Sequence, residues 1–96
     1  MPKHSVIFTF KSNLKDSEKQ AFFDAAHSLR NIPDVKNFEI LKQSSLKNKF
    51  EFGILMEFEN DVHYQTYNNH PQHTSFIQDF WIKSIADFLE IDFEGM

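Results

Sequence analysis

Residues 50–58 read Phe-Glu-Phe-Gly-Ile-Leu-Met-Glu-Phe and show the clearest strand pattern in the chain. Large apolar residues occupy every second position, in the series Phe50, Phe52, Ile54, Met56 and Phe58. Because side chains alternate between the two faces of a strand, one face of this strand is predicted to lie against a core. Gly53, on the other face, indicates a bulge or a close approach by another backbone.

Three other segments carry strand signals, namely residues 4–11, 35–43 and 84–93. Residues 4–11 are rich in β-branched and aromatic side chains, which are typical of strands. Val6 and Phe8 fall on one face of this segment, and Ile7 falls on the other. Apolar residues on both faces predict an interior strand that is covered on both sides.

Two helical regions separate these strands. Ser17 is predicted to cap the first one, with Gln20 completing a capping box, and Pro33 ends it. Asn60 is predicted to cap the second region, which Pro71 interrupts. Beyond this break, a further helix carries aromatic and aliphatic residues at helical spacing: Phe76, Ile77, Phe80 and Trp81.

The predicted order of elements is β-α-β-β-α-β over one domain, residues 1–96. This order is typical of the α+β, ferredoxin-like arrangement, an antiparallel four-stranded sheet with helices on one face. The second face of such a sheet would be uncovered in a monomer. Since the first strand is apolar on both faces, we expect a homodimer in which two sheets pack face to face.

Composition excludes several classes of function. The chain has no cysteine, so thiol catalysis, disulfides and thiolate metal sites are excluded. Its net charge of −4 disfavours nucleic acid as a partner. The sequence has no long apolar run of the kind that forms a signal peptide or a membrane helix. We therefore expect a cytoplasmic protein with no membrane partner. No metal-ligand motif is recognisable, and neither a metal nor a cofactor is expected.

Candidate functional groups concentrate in residues 67–73, Tyr-Asn-Asn-His-Pro-Gln-His. His73 is a candidate general acid/base, because imidazole can take up and release protons near neutral pH. Tyr67 is a candidate orienting group. The structural alternatives are that His73 caps a helix and that Tyr67 is a core residue with a satisfied hydroxyl group. His70 is predicted to end the short helix, where its ring N–H can meet free carbonyl groups.

The chain resembles the stress-responsive A/B barrel domain family of the dimeric α/β-barrel superfamily. The resemblance covers essentially the whole chain, and its most specific part is Tyr67 followed by His70-Pro71-Gln72-His73 and then Phe76. The other resembling segments are His4-Ser5-Val6-Ile7-Phe8, Phe22-Phe23, Ile32-Pro33-Asp34-Val35 and Phe58-Glu59.

This resemblance implies a homodimer and a cleft between the sheet and the helices of each subunit. One plant member of the family closes the ring of a linear polyketide by aldol condensation. By resemblance to it, His73 would be the acid/base, Tyr67 the orienting group and His4 a pocket-lining histidine. The remaining expected ligand-binding residues are Val6, Phe8, Phe22, Phe23 and, at the rim, His70. Ala26 and Ser84 replace aromatic pocket residues of that member, so the resemblance does not imply its substrate.

Three functions therefore remain open. The first is binding of a small apolar ligand without an established activity. The second is a cofactor-independent polyketide cyclase or aldol-type lyase that uses His73 and Tyr67. The third is a purely structural dimerisation module in which the His-Pro-x-His segment only shapes the helix break. A cavity faced by His73 and Tyr67 would favour the first two, whereas a space filled by Phe and Trp side chains would favour the third.

Overall fold

The computed structural model describes residues 1–96 and contains one antiparallel sheet with helices against one face. The strands are β1 (Lys3–Phe10), β2 (Lys36–Lys42), β3 (Phe52–Glu57) and β4 (Ile85–Phe93), in the order β2-β3-β1-β4. Helix α1 (Asp16–Ser28) and a 3₁₀ turn (Leu29–Asn31) connect β1 to β2. Helices α2 (Asp61–Asn69), α3 (Pro71–Phe76) and α4 (Ile82–Ser84), with a π-helical turn (Ile77–Trp81) before α4, connect β3 to β4. The ferredoxin-like prediction is confirmed.

The core lies between the sheet and the helices and is strongly aromatic. Phe8 of β1, Phe22 of α1 and Phe58 after β3 are 0% exposed, and Tyr67 of α2 is 2% exposed. Phe8 and Phe22 pack with ring centroids 5.4 Å apart. Each fully buried aromatic side chain contributes about 1.5–3 kcal/mol through removal of its apolar surface from water. The alternation read from residues 50–58 therefore orients β3 correctly.

The start of α1 differs from the prediction. The N-cap residue is Lys15, and its backbone N–H donates a hydrogen bond of 3.0 Å to the Glu18 side chain. Gln20 instead donates to the Asp24 carboxylate, one turn further along the helix, at 2.9 Å. The predicted capping box of Ser17 and Gln20 is therefore wrong, because an acidic residue at the third helical position satisfies the free amide one turn earlier.

The register of β3 is regular at Gly53, so the bulge, one of the two interpretations of this glycine, is absent. Gly53 pairs with Ile7 of β1 and with Leu41 of β2. The irregularities lie instead between Thr9 and Phe10 in β1, and between Lys36 and Glu39 in β2. At the second of these, Asn37 adopts a positive φ of 52°, which asparagine tolerates better than most residues.

The face of the sheet opposite the helices is not covered. Large apolar side chains there are half exposed, with Leu41 at 45%, Leu89 at 48% and Phe93 at 58%. The chain has 6372 Å² of accessible surface, whereas a compact monomer of 11.4 kDa is expected to have about 5,800 Å². The excess reflects a molecule only 17 Å thick, with one sheet layer and one helix layer. None of its helices is long and apolar enough to span a membrane.

Candidate functional site

A cavity of about 360 Å³ lies between the sheet and the helical segment that follows β3. Its wall is mostly apolar and is formed by Val6, Leu29, Ile54, Met56, Phe76, Ile77, Trp81, Ile82 and Phe88. Its polar lining residues are His4, Tyr67, Asn68, His73 and Glu90. An apolar cavity with a few converging polar groups is the usual form of a small-molecule site. The aromatic side chains of the helices line this space and do not fill it.

His73 lies on α3, and its ring is held by one hydrogen bond. Nδ1 lies 3.0 Å from the carbonyl oxygen of Asn68, which can only accept a hydrogen bond. The proton therefore lies on Nδ1, and Nε2 carries the free lone pair. Burial lowers the pKa of His73, while the bond to Asn68 opposes this shift. The ring is consequently neutral near pH 7 and can act as a base through Nε2.

Tyr67 lies directly beside His73, with ring centroids 4.5 Å apart. Its ring is in the core, but its hydroxyl group has no hydrogen-bond partner within the protein and is not sealed from the cavity that it lines. Burial, and next the negative charge of Glu90, raise the pKa of Tyr67 well above its ordinary value. The hydroxyl group therefore stays protonated and can donate a hydrogen bond to a molecule in the cavity.

His4, near the start of β1, forms a hydrogen-bond network with Tyr64 and Asp92. Its Nδ1 atom lies 2.7 Å from the Asp92 carboxylate and 2.6 Å from the hydroxyl oxygen of Tyr64. The Tyr64 hydroxyl group donates to the other oxygen of Asp92 at 2.8 Å. An ionised carboxylate only accepts, so Nδ1 of His4 carries the proton and Nε2 is the free nitrogen. His4 is 8% exposed and lines the cavity.

His70 does not line this cavity. Its Nδ1 atom accepts a hydrogen bond of 3.1 Å from the backbone N–H of Gln72, which makes His70 the N-cap of α3. Pro71 occupies the first helical position, where its missing N–H costs nothing. His70 ends α2 as predicted, since it is the C-cap residue and its backbone N–H donates to the carbonyl oxygen of Tyr67 at 3.1 Å. Its ring, however, caps α3 instead of meeting free carbonyl groups of α2, and it takes the capping role considered for His73. It lines a separate, mostly polar depression on the outer surface.

The other predicted pocket residues occupy different depths. Val6 lines the cavity wall. Phe8 and Phe22 lie in the core beneath it, and Phe23 packs against that core beside Phe10 and Phe52. Ala26 and Ser84 are also buried but do not line the cavity. The structure thus brings together His73, Tyr67, His4 and Val6, and it places the three phenylalanines behind the wall.

Several residues of the site were not predicted from sequence, and the ionisable ones among them are Tyr64, Glu90 and Asp92. Antiparallel pairing sets Val6 opposite Glu90 and His4 opposite Asp92, on the face of β4 that points towards the helices. The sequence shows that one face of this strand carries Phe88, Glu90 and Asp92, and that the other carries Leu89, Ile91 and Phe93. To tell which of the two faces points towards the helices, the register with β1 is needed, and the sequence alone does not specify it.

Possible metal ligands meet at one place only. Ligand atoms of His4, Glu90 and Asp92 lie within 4.8 Å of one another. His4 Nδ1 and both carboxylate oxygens of Asp92 already take part in the network with Tyr64. These hydrogen bonds fix the orientation of the His4 ring.

The arrangement of His73 and Tyr67 supports proton transfer. A neutral imidazole with a free Nε2 atom can accept a proton, and the adjacent phenol can donate a hydrogen bond to an oxygen atom that gains negative charge. His4, whose Nε2 atom has no hydrogen-bond partner within the protein, lines the same cavity. No bound cofactor is needed for this chemistry.

Comparisons with known proteins agree with the fold. Residues 3–95 match the model of the Stress responsive A/B Barrel Domain family. The olivetolic acid cyclase of Cannabis sativa is 33% identical over 88 residues, which cover 84% of this chain and 87% of the cyclase.

Solved structures show the same architecture. A crystal structure of a dabb family protein with a ferredoxin-like fold from Mesorhizobium loti superposes with a TM-score of 0.92 at 38% identity, covering 99% of this chain and 96% of that one. A dimeric ferredoxin-like protein of unknown function from Thermobifida fusca has a TM-score of 0.83 at 18% identity, covering 98% and 90%.

Proposed function

The chain belongs to the stress responsive A/B barrel domain family, and on this premise we propose that it is a homodimeric domain that binds a small apolar ligand between sheet and helices. The observation that carries the proposal is the cavity of about 360 Å³. This volume is within the usual size range of small-molecule pockets. The free Tyr67 hydroxyl group and His73 Nε2 atom would orient a ligand inside it.

Binding can be measured without a label, because Trp81 is the only tryptophan and lines the cavity. We expect small apolar ketones or alcohols to shift its fluorescence in a saturable manner. Val6→Phe adds volume to the cavity wall and should weaken binding at least about tenfold by occupying the space. Val62→Phe is the matched control, since Val62 is 72% exposed on α2. Equal affinity of both variants for every probe would contradict binding in this cavity.

The homodimer is supported by the uncovered face of the sheet. The half-exposed apolar side chains of this face form a surface that a second copy would cover. Gly53, which has no side chain, lies between Ile7 and Leu41 and leaves a shallow depression in this surface. The excess of about 600 Å² over a compact monomer approaches the roughly 800 Å² that each partner buries in a standard interface. The Thermobifida fusca protein of the same fold is dimeric.

A second candidate function is a cofactor-independent cyclase or aldol-type lyase. The observation that favours it is the pairing of Tyr67 with His73 at 4.5 Å between ring centroids, together with 33% identity to a cyclase. In this reaction, His73 Nε2 removes a proton from carbon next to a carbonyl group. The carbanion then attacks a second carbonyl carbon and forms a carbon–carbon bond. The protonated His73 returns the proton to the resulting alkoxide, while Tyr67 donates a hydrogen bond to the enolate oxygen.

A further inference from the structure

Glu90 has no partner within the protein, unlike most acidic residues of the sheet. Asp87 pairs with Lys49, Asp92 bonds with His4 and Tyr64, and Glu57 accepts a hydrogen bond of 2.6 Å from Asn37. No hydrogen bond or ion pair within the protein reaches the Glu90 carboxylate. Its side chain nevertheless lies on the helix-facing side of β4, opposite Val6, and lines the cavity.

No lysine or arginine lines the cavity to neutralise this charge. Burial lowers the pKa of His73, so that ring is uncharged near pH 7. The negative charge of Glu90 nevertheless acts on other groups of the cavity, since it contributes to the raised pKa of Tyr67. A negative charge beside an apolar cavity interacts more strongly with a bound ion than it would in bulk water.

Aromatic rings line the same cavity as the carboxylate. Phe88 is two residues before Glu90 on the same face of β4, and its ring lies 5.4 Å from that of Trp81, centroid to centroid, in an edge-to-face arrangement. Phe88 is 50% exposed, so this pair lies where the cavity opens to solvent. Ring faces attract cations, and a carboxylate beside two rings is a suitable environment for an ammonium group.

We propose that Glu90 makes this cavity selective for apolar ligands that carry an amine, with the ammonium group against Glu90 and the Trp81–Phe88 pair. The apolar part of the ligand would enter between sheet and helices, towards Tyr67 and His73. The same carboxylate repels ligands that carry a carboxylate of their own. The inference rests on the proposed function, since it names the ligand class of the same cavity.

Three probes of nearly equal shape test it at pH 7.5: 2-phenylethylamine, 2-phenylethanol and 3-phenylpropionate. Their affinities are measured by Trp81 fluorescence and by calorimetry. We expect the amine to bind about tenfold more tightly than the alcohol, and the carboxylate more weakly than both. Glu90→Gln should remove the advantage of the amine over the alcohol. Glu94→Gln, an exposed carboxylate outside the cavity, is the matched control.

The outcomes separate the two proposals. If the alcohol binds and the amine binds no more tightly, or if Glu90→Gln does not change the preference, selectivity by Glu90 is refuted while the cavity keeps its function. If none of the probes binds at millimolar concentration, the proposed function fails and the inference fails with it. Glu90 is exposed and Gln is isosteric, so loss of the fold does not confuse the result; circular dichroism verifies this.

Discussion

The Nδ1 atom of His73 lies 3.0 Å from the carbonyl oxygen of Asn68, five residues earlier in the chain. This bond crosses the break at Pro71, so the break brings the last turn of α2 and the first turn of α3 into contact. It also determines the chemistry of the ring, because a proton held on Nδ1 leaves Nε2 as the base. The hydrogen bond that joins the two helices thus also leaves Nε2 of His73 free to act as a base.

His73→Gln should abolish any condensation activity and leave the fold intact. Loss of a positioned acid/base typically lowers the rate about 100-fold or more. The measurement is turnover of a panel of β-keto polyketide-like substrates, with His27→Gln on the exposed side of α1 as control. Equal rates for wild type and His73→Gln would refute the catalytic role and leave ligand binding as the function.

The stability of the protein should fall at mildly acidic pH because of His73. Burial lowers the pKa of this ring in the folded state, whereas the unfolded chain has the ordinary value of about 6.5. Above that value both states are neutral, and stability is at its full value. As the pH falls from about 6.5 through the lower folded pKa, the unfolded state binds the proton first and stability is lost.

Urea unfolding at pH 7.5 and pH 5.0 measures this effect. The wild type should lose more stability between the two pH values than His73→Gln, which has no titrating ring at this position. A ring titration by NMR should also place the His73 midpoint below about 6.5, the ordinary value for histidine. Identical pH dependence in wild type and variant would show that burial of His73 does not favour its neutral form.

Tyr64→Phe should destabilise the protein, whereas Tyr67→Phe should not. The Tyr64 hydroxyl group bonds with His4 and Asp92, and its loss leaves buried His4 with a poorer network. We expect a cost of about 1–2 kcal/mol. The Tyr67 hydroxyl group has no partner within the protein, so its removal should change stability by less than about 0.5 kcal/mol. Urea unfolding of both variants gives the comparison, and equal costs would contradict the network.

His70→Ala should reduce stability by about 1 kcal/mol, since it removes the N-cap of α3. Asn is a good capping residue, so His70→Asn should restore most of the loss. His27→Ala is the control at an exposed helical position, with an expected change within about 0.5 kcal/mol. If His70→Ala and His70→Asn cost the same amount, capping is not the role of this ring.

Leu89→Lys should convert the proposed homodimer to a monomer. Leu89 is 48% exposed on the uncovered face, so a charge there costs little in the monomer but would be buried in the dimer. Leu46→Lys, in the loop before β3 and fully exposed, is the control and should stay dimeric. Light scattering at micromolar concentration measures the mass. A monomeric wild type would overturn the proposed assembly.

Much of the fold could be predicted because its signals are local. The alternation in residues 50–58 orients β3, and Pro33 and Pro71 mark helix limits within a few residues. Some local signals compete, however. Ser17 could be the N-cap residue of α1, but Glu18 also favours a start at Lys15. In the structure the Glu18 side chain accepts a hydrogen bond from the backbone amide of Lys15, and Lys15 is the N-cap residue. A mid-strand glycine is compatible with a bulge and with regular pairing, and only pairing with both neighbours decided between them.

The sequence by itself determined the order of elements, the face that β3 buries, and the grouping of Tyr67 with His73, because these depend on periodicity and on a proline. Tertiary structure decided which distant groups join them. His4 and Asp92 are 88 residues apart and meet only because β1 and β4 pair in one register. A shift of that register by one residue would turn Glu90 and Asp92 away from the cavity, since strand side chains alternate between faces. The site is therefore completed by a pairing that no local pattern specifies.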